Sequence, residues 1–377
     1  MRVYTKYRTV PARKTETSHF QWVLVAMLVG FLGWVWWKNL QHPTRPSTSE
    51  QASTVQVTPV FRATRSGSSN AVTSLVLARP ATTGARETGN AGPHPPRNTY
   101  EIQVALARQG ICVGSLDGAL GSQTRAALRA FQLKERLPVT GEADAATKAR
   151  LLLSGPVETY YTVTAEDLGR LSPVGTTWLA KSVQDRLDYE NILELVSEKG
   201  HAHPNLVRML NPSVDWNHVL PGATIRIPDC EYPPVRAKAA FIRLRLREKT
   251  LDAFDRGTNL LAHFPCSIAR QVEKRPVGRL EVETIALNPN YKFSPEIFPE
   301  SEEARQLKRP LMIPQGPNNP VGTAWIGLNR QGYGIHGTPR PEEVGRTESH
   351  GCFRLANWNA DYLAQLVEIG TPVIIEP

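Results

Sequence analysis

His336, His350 and Cys352 lie within 17 residues of one another near the C-terminus, in the string GYGIHGTPRPEEVGRTESHGCFRLANWNADYL (Gly332–Leu363). A thiol is a strong nucleophile only as its thiolate. It therefore needs a base within reach, and donors for the oxyanion that forms when it attacks a carbonyl. Ser349-His350-Gly351-Cys352 offers these compactly. In an extended segment, side chains two residues apart project to the same side, so His350 is the expected base for Cys352. Gly351 permits an unusual backbone angle and close approach of a substrate. The N–H groups around Gly351 and Cys352 are the expected oxyanion donors. Taken alone, a Cys beside a His also fits a buried structural pair. A second histidine pair, His201 and His203, sits beside Pro204 between two helical runs. It has no Cys or carboxylate partner at zinc spacing, so metal binding is not expected there.

The segments that must position these residues read as β-rich. Phe241–Arg247 alternates with period two, one face apolar and one face arginine, the pattern of a half-buried strand with a solvated side. Strand-like runs follow at Leu260–Ile268, Leu280–Ala286, Ala324–Leu328 and Pro372–Ile375, with Gly and Pro between them and one clear helix at Ala360–Ile369. This piece spans 236–377. Residues 98–155 read as a small three-helix module. Asn98-Thr-Tyr-Glu101 has the form of a capping box before Ile102, Ala105 and Leu106. Ser122 is the expected cap of a helix through Thr124–Gln132 with Ala127, Leu128 and Phe131 inward, and Ala145–Leu153 is a third helix. Residues 158–230 read as strand, helix, helix, strand: Tyr160–Val163, Ile192–Lys199, Asn205–Leu210 and Ala223–Ile227. The whole is a multidomain chain: three-helix, then α+β, then mainly-β.

Composition excludes wholesale disorder, collagen and a polytopic membrane protein, with 41% hydrophobic and 21% charged residues in 377. The formal charge of +9 comes from the N-terminal quarter alone. Residues 1–38 hold six basic residues and one acid, and 39–97 hold six Arg and two Glu, while 98–377 balance 32 basic against 32 acidic residues. No basic stripe is interleaved with aromatics, so a nucleic-acid partner is not expected. Phe20–Trp37 is 18 uncharged residues, enough at about 1.5 Å per residue to cross a bilayer core as one transmembrane anchor. Five basic residues precede it and Lys38 follows, which places 1–19 in the cytoplasm and the remainder outside. The rival reading is a cleaved signal peptide, but the run is longer than an h-region and no small-x-small site follows it. Residues 38–97 read as a disordered linker: positions 39–97 carry 16 Ser or Thr and seven Pro. Such a coil has an end-to-end distance of roughly 40–45 Å.

Three resemblances join these pieces. DGALGSQTRAALRAFQ (Asp117–Gln132) followed by VTGEADAAT (Val139–Thr147) resembles the peptidoglycan-binding domain of cell-wall hydrolases. LNPSVDWNHVLPGATIRIP (Leu210–Pro228) resembles LysM, a wall carbohydrate-binding module. The piece is about twenty residues longer than a standard LysM, mostly before Tyr189, and its opening YYTVTAEDL lacks the usual Gly-Asp-Thr. Sugar binding and a scaffold role both stay open. Ile335-His336-Gly337-Thr338 with Ser349-His350-Gly351-Cys352-Phe353-Arg354-Leu355 resembles the L,D-transpeptidase family, as do KRPVGRLEV (Lys274–Val282) and NNPVGTAWIGL (Asn318–Leu328) upstream.

The transpeptidase resemblance implies that Cys352 attacks the carbonyl between the third residue of a stem peptide and its terminal D-Ala. His350 takes the thiol proton and later protonates the leaving amine, and the Ser349 carbonyl orients it. His336 stabilises the oxyanion or positions substrate. Arg354 holds the site loop or a substrate carboxylate, and Tyr333 lines the pocket. The side-chain amine of a second stem peptide then resolves the acyl-enzyme into a cross-link. Water as acceptor would make the protein a carboxypeptidase, and a protein linked to the wall is a further acceptor class. No metal or cofactor is implied. The expected partners are peptidoglycan stem peptides and glycan, with the membrane reached through the N-terminal helix. The expected location is the bacterial inner membrane, single-pass, with the catalytic part in the periplasm or wall space. A non-catalytic wall-binding scaffold is the reading from another class. Papain-like peptidases place the cysteine long before its histidine, opposite to the order here. Cys112, Cys230 and Cys266 permit at most one disulfide, and buried free thiols serve equally well.

Overall fold

The computed structural model describes residues 92–377 apart from 299, 308 and 348–350. The stretches expected to be a cytoplasmic tail (1–19) and a membrane span (20–37), and nearly all of the expected linker (38–97), lie outside the described residues. Among the described residues no helix is long and apolar enough to cross a membrane.

Three helices come first: α1 (Thr99–Ala107), α2 (Ser122–Lys134) and α3 (Ala145–Arg150). Asn98 caps α1 by accepting the Glu101 N–H. The reciprocal half of the expected capping box is missing, because the Glu101 carboxylate takes the Arg97 N–H instead, at 2.8 Å. Ser122 is the first residue of α2 rather than its cap; Gly121 holds the cap position with no side-chain bond. Two buried glutamines organise the turns. Gln103 donates to Asp117 Oδ1 (2.8 Å) and Ala119 O (3.0 Å) while accepting the Gly118 N–H (2.8 Å). Gln132 repeats this one turn later, donating to Glu142 O (2.8 Å) and accepting the Gly141 N–H (2.8 Å). A carboxamide has donors and an acceptor at one end, so a single buried side chain satisfies both polarities of a turn.

The next segment comprises β1 (Glu158–Thr162), α4 (Ala165–Arg170), α5 (Trp178–Ser182), α6 (Ile192–Lys199), α7 (Pro204–Leu210) and β2 (Thr224–Pro228), with β1 and β2 antiparallel. The stretch between α4 and α6, the excess length seen in the sequence, packs outward. Trp178 stacks on Phe293 at 4.1 Å between centroids, and Leu187 joins Phe293, Leu311 and Ile313 in a separate apolar cluster. Backbone bonds seal the join: Leu187 N–H to Gln315 O and Asn318 N–H to Leu187 O, both 3.0 Å. The buried Asp188 carboxylate is held between Arg170 and Arg186, each at 2.9 Å. The extra residues are a brace against the C-terminal domain.

That domain contains β3 (Phe241–Arg245), β4 (Thr250–Phe254), β5 (Leu260–Pro265), β6 (Gly278–Leu287), β7 (Tyr291–Phe293), α8 (Glu302–Gln306), β8 (Leu311–Ile313), β9 (Ala324–Leu328), β10 (Gly334–His336), β11 (Phe353–Arg354), α9 (Asn357–Leu366) and β12 (Pro372–Glu376). Eight strands form one sheet in the order β11-β10-β9-β6-β12-β3-β4-β5, and β7 and β8 pair apart from it. The two ends of the sheet meet: Ser267, two residues past β5, exchanges backbone hydrogen bonds of 2.9 and 3.0 Å with Arg354 of β11. Phe264, Ile326, Ile335, Phe353, Leu363 and Val373 are among the residues that fill the interior.

Several expectations are corrected here. The C-terminal helix begins three residues early, at Asn357, because Asn357 and Asn359 are fully buried and bonded to distant partners, so residues that read as loop form its first turn. The arginine face of β3 is ion-paired rather than freely solvated: Arg243 meets Glu376 at 3.2 Å, and Arg245 pairs with Asp252 and Glu376. Of the two readings left open for Cys112, Cys230 and Cys266, the structure has three buried thiols outside any disulfide.

The segments share backbone bonds. Gly110–Cys112 lies along the outer edge of β5, with the Cys112 N–H to His263 O (2.8 Å) and the His263 N–H to Gly110 O (3.1 Å). Leu116 is bonded to both His201 and His203. His201 stacks on Trp358 at 5.2 Å, and Glu198 of α6 accepts from Asn357 Nδ2 at 3.1 Å.

Burial pushes the Glu198 carboxyl up to about 8 from an ordinary 4.5, against the pull of the Asn357 N–H. The native state thus keeps a proton that the unfolded chain releases above its ordinary value. This stabilisation is complete below about pH 4.5 and is lost as pH rises through 8. Calorimetry should show Glu198→Gln losing several degrees less in melting temperature than the wild type between pH 5 and 8. Parallel slopes would show that Glu198 is ionised in the native state.

Candidate active site

β10 and β11 run parallel, with Ile335 opposite Phe353 and His336 opposite Arg354. Ile335 and Phe353 are fully buried and face the core. Alternation then puts His336, Arg354 and Cys352, two residues before Arg354, on the other face. The strands form because apolar residues sit at alternate positions in GIH and FRL, and because Gly334 leaves room for a neighbour. A Cβ there would come within 2.7 Å of the Trp325 indole. That indole reaches from β9 over Gly334 and stacks on His336, with centroids 5.6 Å apart and planes at 22°.

His336 is buried, and its Nδ1 lies 2.6 Å from the Gly337 carbonyl oxygen. A carbonyl only accepts, so Nδ1 carries the proton. Burial holds the imidazole down to about 4; the Gly337 carbonyl pulls the other way, and the Arg354 charge depresses it further. The ring is therefore neutral at ordinary pH and presents an unprotonated Nε2. Gly337 is itself fixed by close packing. A side chain there would strike Asn357 Oδ1, and would approach Gly322 Cα at 3.2 Å. Asn357 in turn donates to Pro317 O at 3.1 Å.

Cys352 is half-buried, and its thiol donates to the Gly332 carbonyl at 3.4 Å. Burial raises the thiol to about 11, partly offset by the Gly334 N–H. Tyr291 of β7 stands close enough that a Cys352 thiolate would add to the burial that pushes its phenol up. The β7–β8 pair thus borders the site.

The structure places the expected site residues unevenly. Cys352 and His336 share one face. Ser349 and His350 lie outside the described residues. The expectation of His336 as an oxyanion donor is corrected, because a neutral ring protonated on Nδ1 has no Nε2 proton to give. It has instead the geometry expected of a base: an imidazole oriented by a backbone carbonyl. A Cβ at Gly351 would meet nothing within 4 Å, so the space beside Cys352 is open among the described residues. Arg354 donates from Nη2 to Thr347 Oγ1 at 3.0 Å, which is the loop-holding alternative. Tyr333 lies in the turn before β10 with the Arg330 guanidinium 4.6 Å over its ring, next to the Gly332 carbonyl that accepts from Cys352. Sequence reasoning missed Trp325, Gly337 and Asn357. All three stand inside quoted motif strings, but their partners are remote in sequence.

Comparison with known proteins adds two matches. Residues 239–375 match the L,D-transpeptidase catalytic domain, and residues 97–151 match a peptidoglycan-binding domain. A Bacillus licheniformis protein named as an L,D-transpeptidase (YkuD) is 28% identical over 170 residues, covering 44% of this chain and 82% of the relative. An Escherichia coli protein named as an L,D-transpeptidase (YbiS) is 29% identical over 164 residues, covering 43% of this chain and 53% of the relative, so the chain spans about half of that protein. A crystal structure of L,D-transpeptidase 3 from Mycobacterium tuberculosis with a faropenem-derived adduct aligns with a TM-score of 0.30 at 17% identity, over 42% of this chain and 76% of that one.

Burial holds the Cys352 thiol up near 11 and the His336 imidazole down near 4, so each group rests neutral. Alkylation of Cys352 by iodoacetamide should therefore rise about tenfold per pH unit through neutrality and level off only near pH 11. A plateau between pH 6 and 8 would mean that the resting thiol is already ionised.

Proposed function

Residues 239–375 form an L,D-transpeptidase catalytic domain joined to a peptidoglycan-binding domain at 97–151, and from that premise we propose how this chain cross-links peptidoglycan. The enzyme is a peptidoglycan L,D-transpeptidase acting in wall biogenesis. Cys352 Sγ attacks the carbonyl between the third residue of a tetrapeptide stem and its terminal D-Ala. His336 Nε2 takes the thiol proton as the C–S bond forms. The Gly337 carbonyl stabilises the imidazolium by accepting from Nδ1, the part played by the third member of a triad. Backbone N–H groups at Gly351 and Cys352 receive the oxyanion. The tetrahedral intermediate collapses, His336 returns the proton to the leaving amine, and D-Ala departs. The side-chain amine of a second stem peptide attacks the thioester, with His336 again taking the proton, and the thiol is regenerated. On this reading the base is His336 rather than His350.

The observation that carries this reading is the neutral imidazole of His336, oriented by the Gly337 carbonyl at 2.6 Å on the Cys352 face. The domain limits fitting it are 98–155 for wall binding, 158–230 for a LysM-like module and 236–377 for catalysis. The β1–β2 pair enclosing α6 and α7 supports the LysM-like reading, and the brace at Trp178 and Leu187 favours scaffold over sugar binding. The uncharged run at 20–37 and the basic residues before it support a single-pass anchor in the bacterial inner membrane, with catalysis in the periplasm.

Incubation with disaccharide-tetrapeptides and mass spectrometry tests the activity. A dimer lacking one D-Ala is expected. Tripeptide monomers alone would mean a carboxypeptidase. No product, and cross-links unchanged in cells carrying Cys352→Ala, would leave a scaffold. His336→Gln should lower kcat by about 10²- to 10⁴-fold. A larger loss in His350→Gln, with His336→Gln near wild type, would reverse the base assignment.

A further inference from the structure

The segment leading into the nucleophile is not held by the catalytic domain alone. Gln123, the second residue of α2, donates from Nε2 to the Val344 carbonyl. Its carboxamide lies between two glycines with left-handed backbones. One is Gly114 of its own domain (φ +83°), where a Cβ would strike Gln123 Oε1. The other is Gly345 of the catalytic loop (φ +74°), where a Cβ would come within 2.6 Å of Nε2. Two such positions facing one planar amide make a slot shaped for that side chain, since any other residue would meet both strain and a clash.

The contacts continue along the loop. The Gly345 N–H donates to Ser267 Oγ at 2.9 Å, and Ser267 is the residue whose backbone pairs with Arg354. Arg346 forms an ion pair with Asp117 Oδ2 of the wall-binding domain at 3.6 Å. Thr347 receives the Arg354 Nη2 bond at 3.0 Å. The chain then enters Ser349-His350-Gly351-Cys352.

We infer that Gln123 is a positioning residue for acyl transfer: the peptidoglycan-binding domain, through this carboxamide, sets where the loop from Val344 to Thr347 stands and, through the Thr347–Arg354 bond, where Cys352 stands against His336. The inference rests on the reading of Cys352 as nucleophile. A wall-binding domain on a loose joint would concentrate the enzyme on its substrate and leave kcat alone. Here the domain is part of the frame that aims the thiol, so its loss from the slot reaches the chemical step.

The test uses the full-length chain carrying Gln123→Ala, Gln123→Glu or Gly345→Ala. Arg150→Ala serves as control, because its 2.7 Å pair with Glu135 stays inside the binding domain. The glutamate variant keeps the shape of the side chain and loses the donor. Both Gln123 variants should lower kcat on disaccharide-tetrapeptide about 10- to 100-fold, with KM within about twofold. They should also shift the pH profile of Cys352 alkylation, while melting temperature stays near wild type. The control should match wild type in every measurement. Wild-type kcat and alkylation profile in both Gln123 variants would overturn the proposal, as would a kcat falling only in proportion to folded protein. If the Gln123 variants misfold, Gly345→Ala closes the slot from the catalytic side, and an unchanged kcat there overturns it equally. If the wild type itself releases no D-Ala, the catalytic reading fails, and the alkylation profile still decides the role of Gln123.

Discussion

Two backbone hydrogen bonds between Ser267 and Arg354 hold the sheet closed, and the site depends on them. β11 is two residues long. A strand that short has too few ladder bonds to stay in place by pairing on one side. It is secured because β10 lies along one edge and Ser267 along the other. Cys352 is the residue just before it, so the nucleophile's position is set by a seam rather than by a long element. Phe353, fully buried behind it, fixes which way the chain faces. A slip of one residue would turn Phe353 outward and Cys352 into the core.

The rest of the molecule buttresses that seam. Gly110–Cys112 covers the outer edge of β5 just upstream of Ser267, removing an exposed sheet edge that would otherwise invite pairing with another chain. The brace at Trp178 and Leu187 clamps the β7–β8 pair bordering the thiol. Glu198 of α6 meets Asn357, which packs against Gly337, whose carbonyl orients His336. A side chain of the middle segment is thus three contacts from the proposed base. Modules that read as wall anchors are also structural walls of the catalytic domain.

Which parts were legible follows from the range of the interactions. Runs such as Ile192–Lys199 and Ala324–Leu328 were readable to the residue because their periodicity is local. The helix start at Asn357 was not, because its burial is set by Tyr232, Glu198 and Pro317, up to 159 residues away. The motif around Cys352 names candidate residues, while the proposed division of labour between them draws on the pairing of β10 with β11. Sequence spacing favoured His350 through its nearness to Cys352. His336, 16 residues away along the chain, reaches the same face by parallel pairing, which adjacency in sequence cannot show. Likewise the excess length before Tyr189 was visible as an anomaly, while its use as a brace needed the position of Phe293.

The electrostatics give the same division. Residues 98–377 carry equal numbers of basic and acidic groups, and the buried carboxylates Asp188 and Asp252 are paired with arginines. Burial keeps both the Cys352 thiol and the His336 imidazole uncharged at rest. Isolating a thiolate in this half-buried site would be costly. In the proposed mechanism, proton transfer to His336 becomes favourable only when the sulfur's electrons are being shared with a carbonyl carbon and the charge moves to an oxygen met by backbone N–H groups. A site arranged in this way holds its nucleophile inert until an acyl donor is in place. That requirement is why the donors and the thiol, both on the segment after Val344, must be held in register with an imidazole on β10.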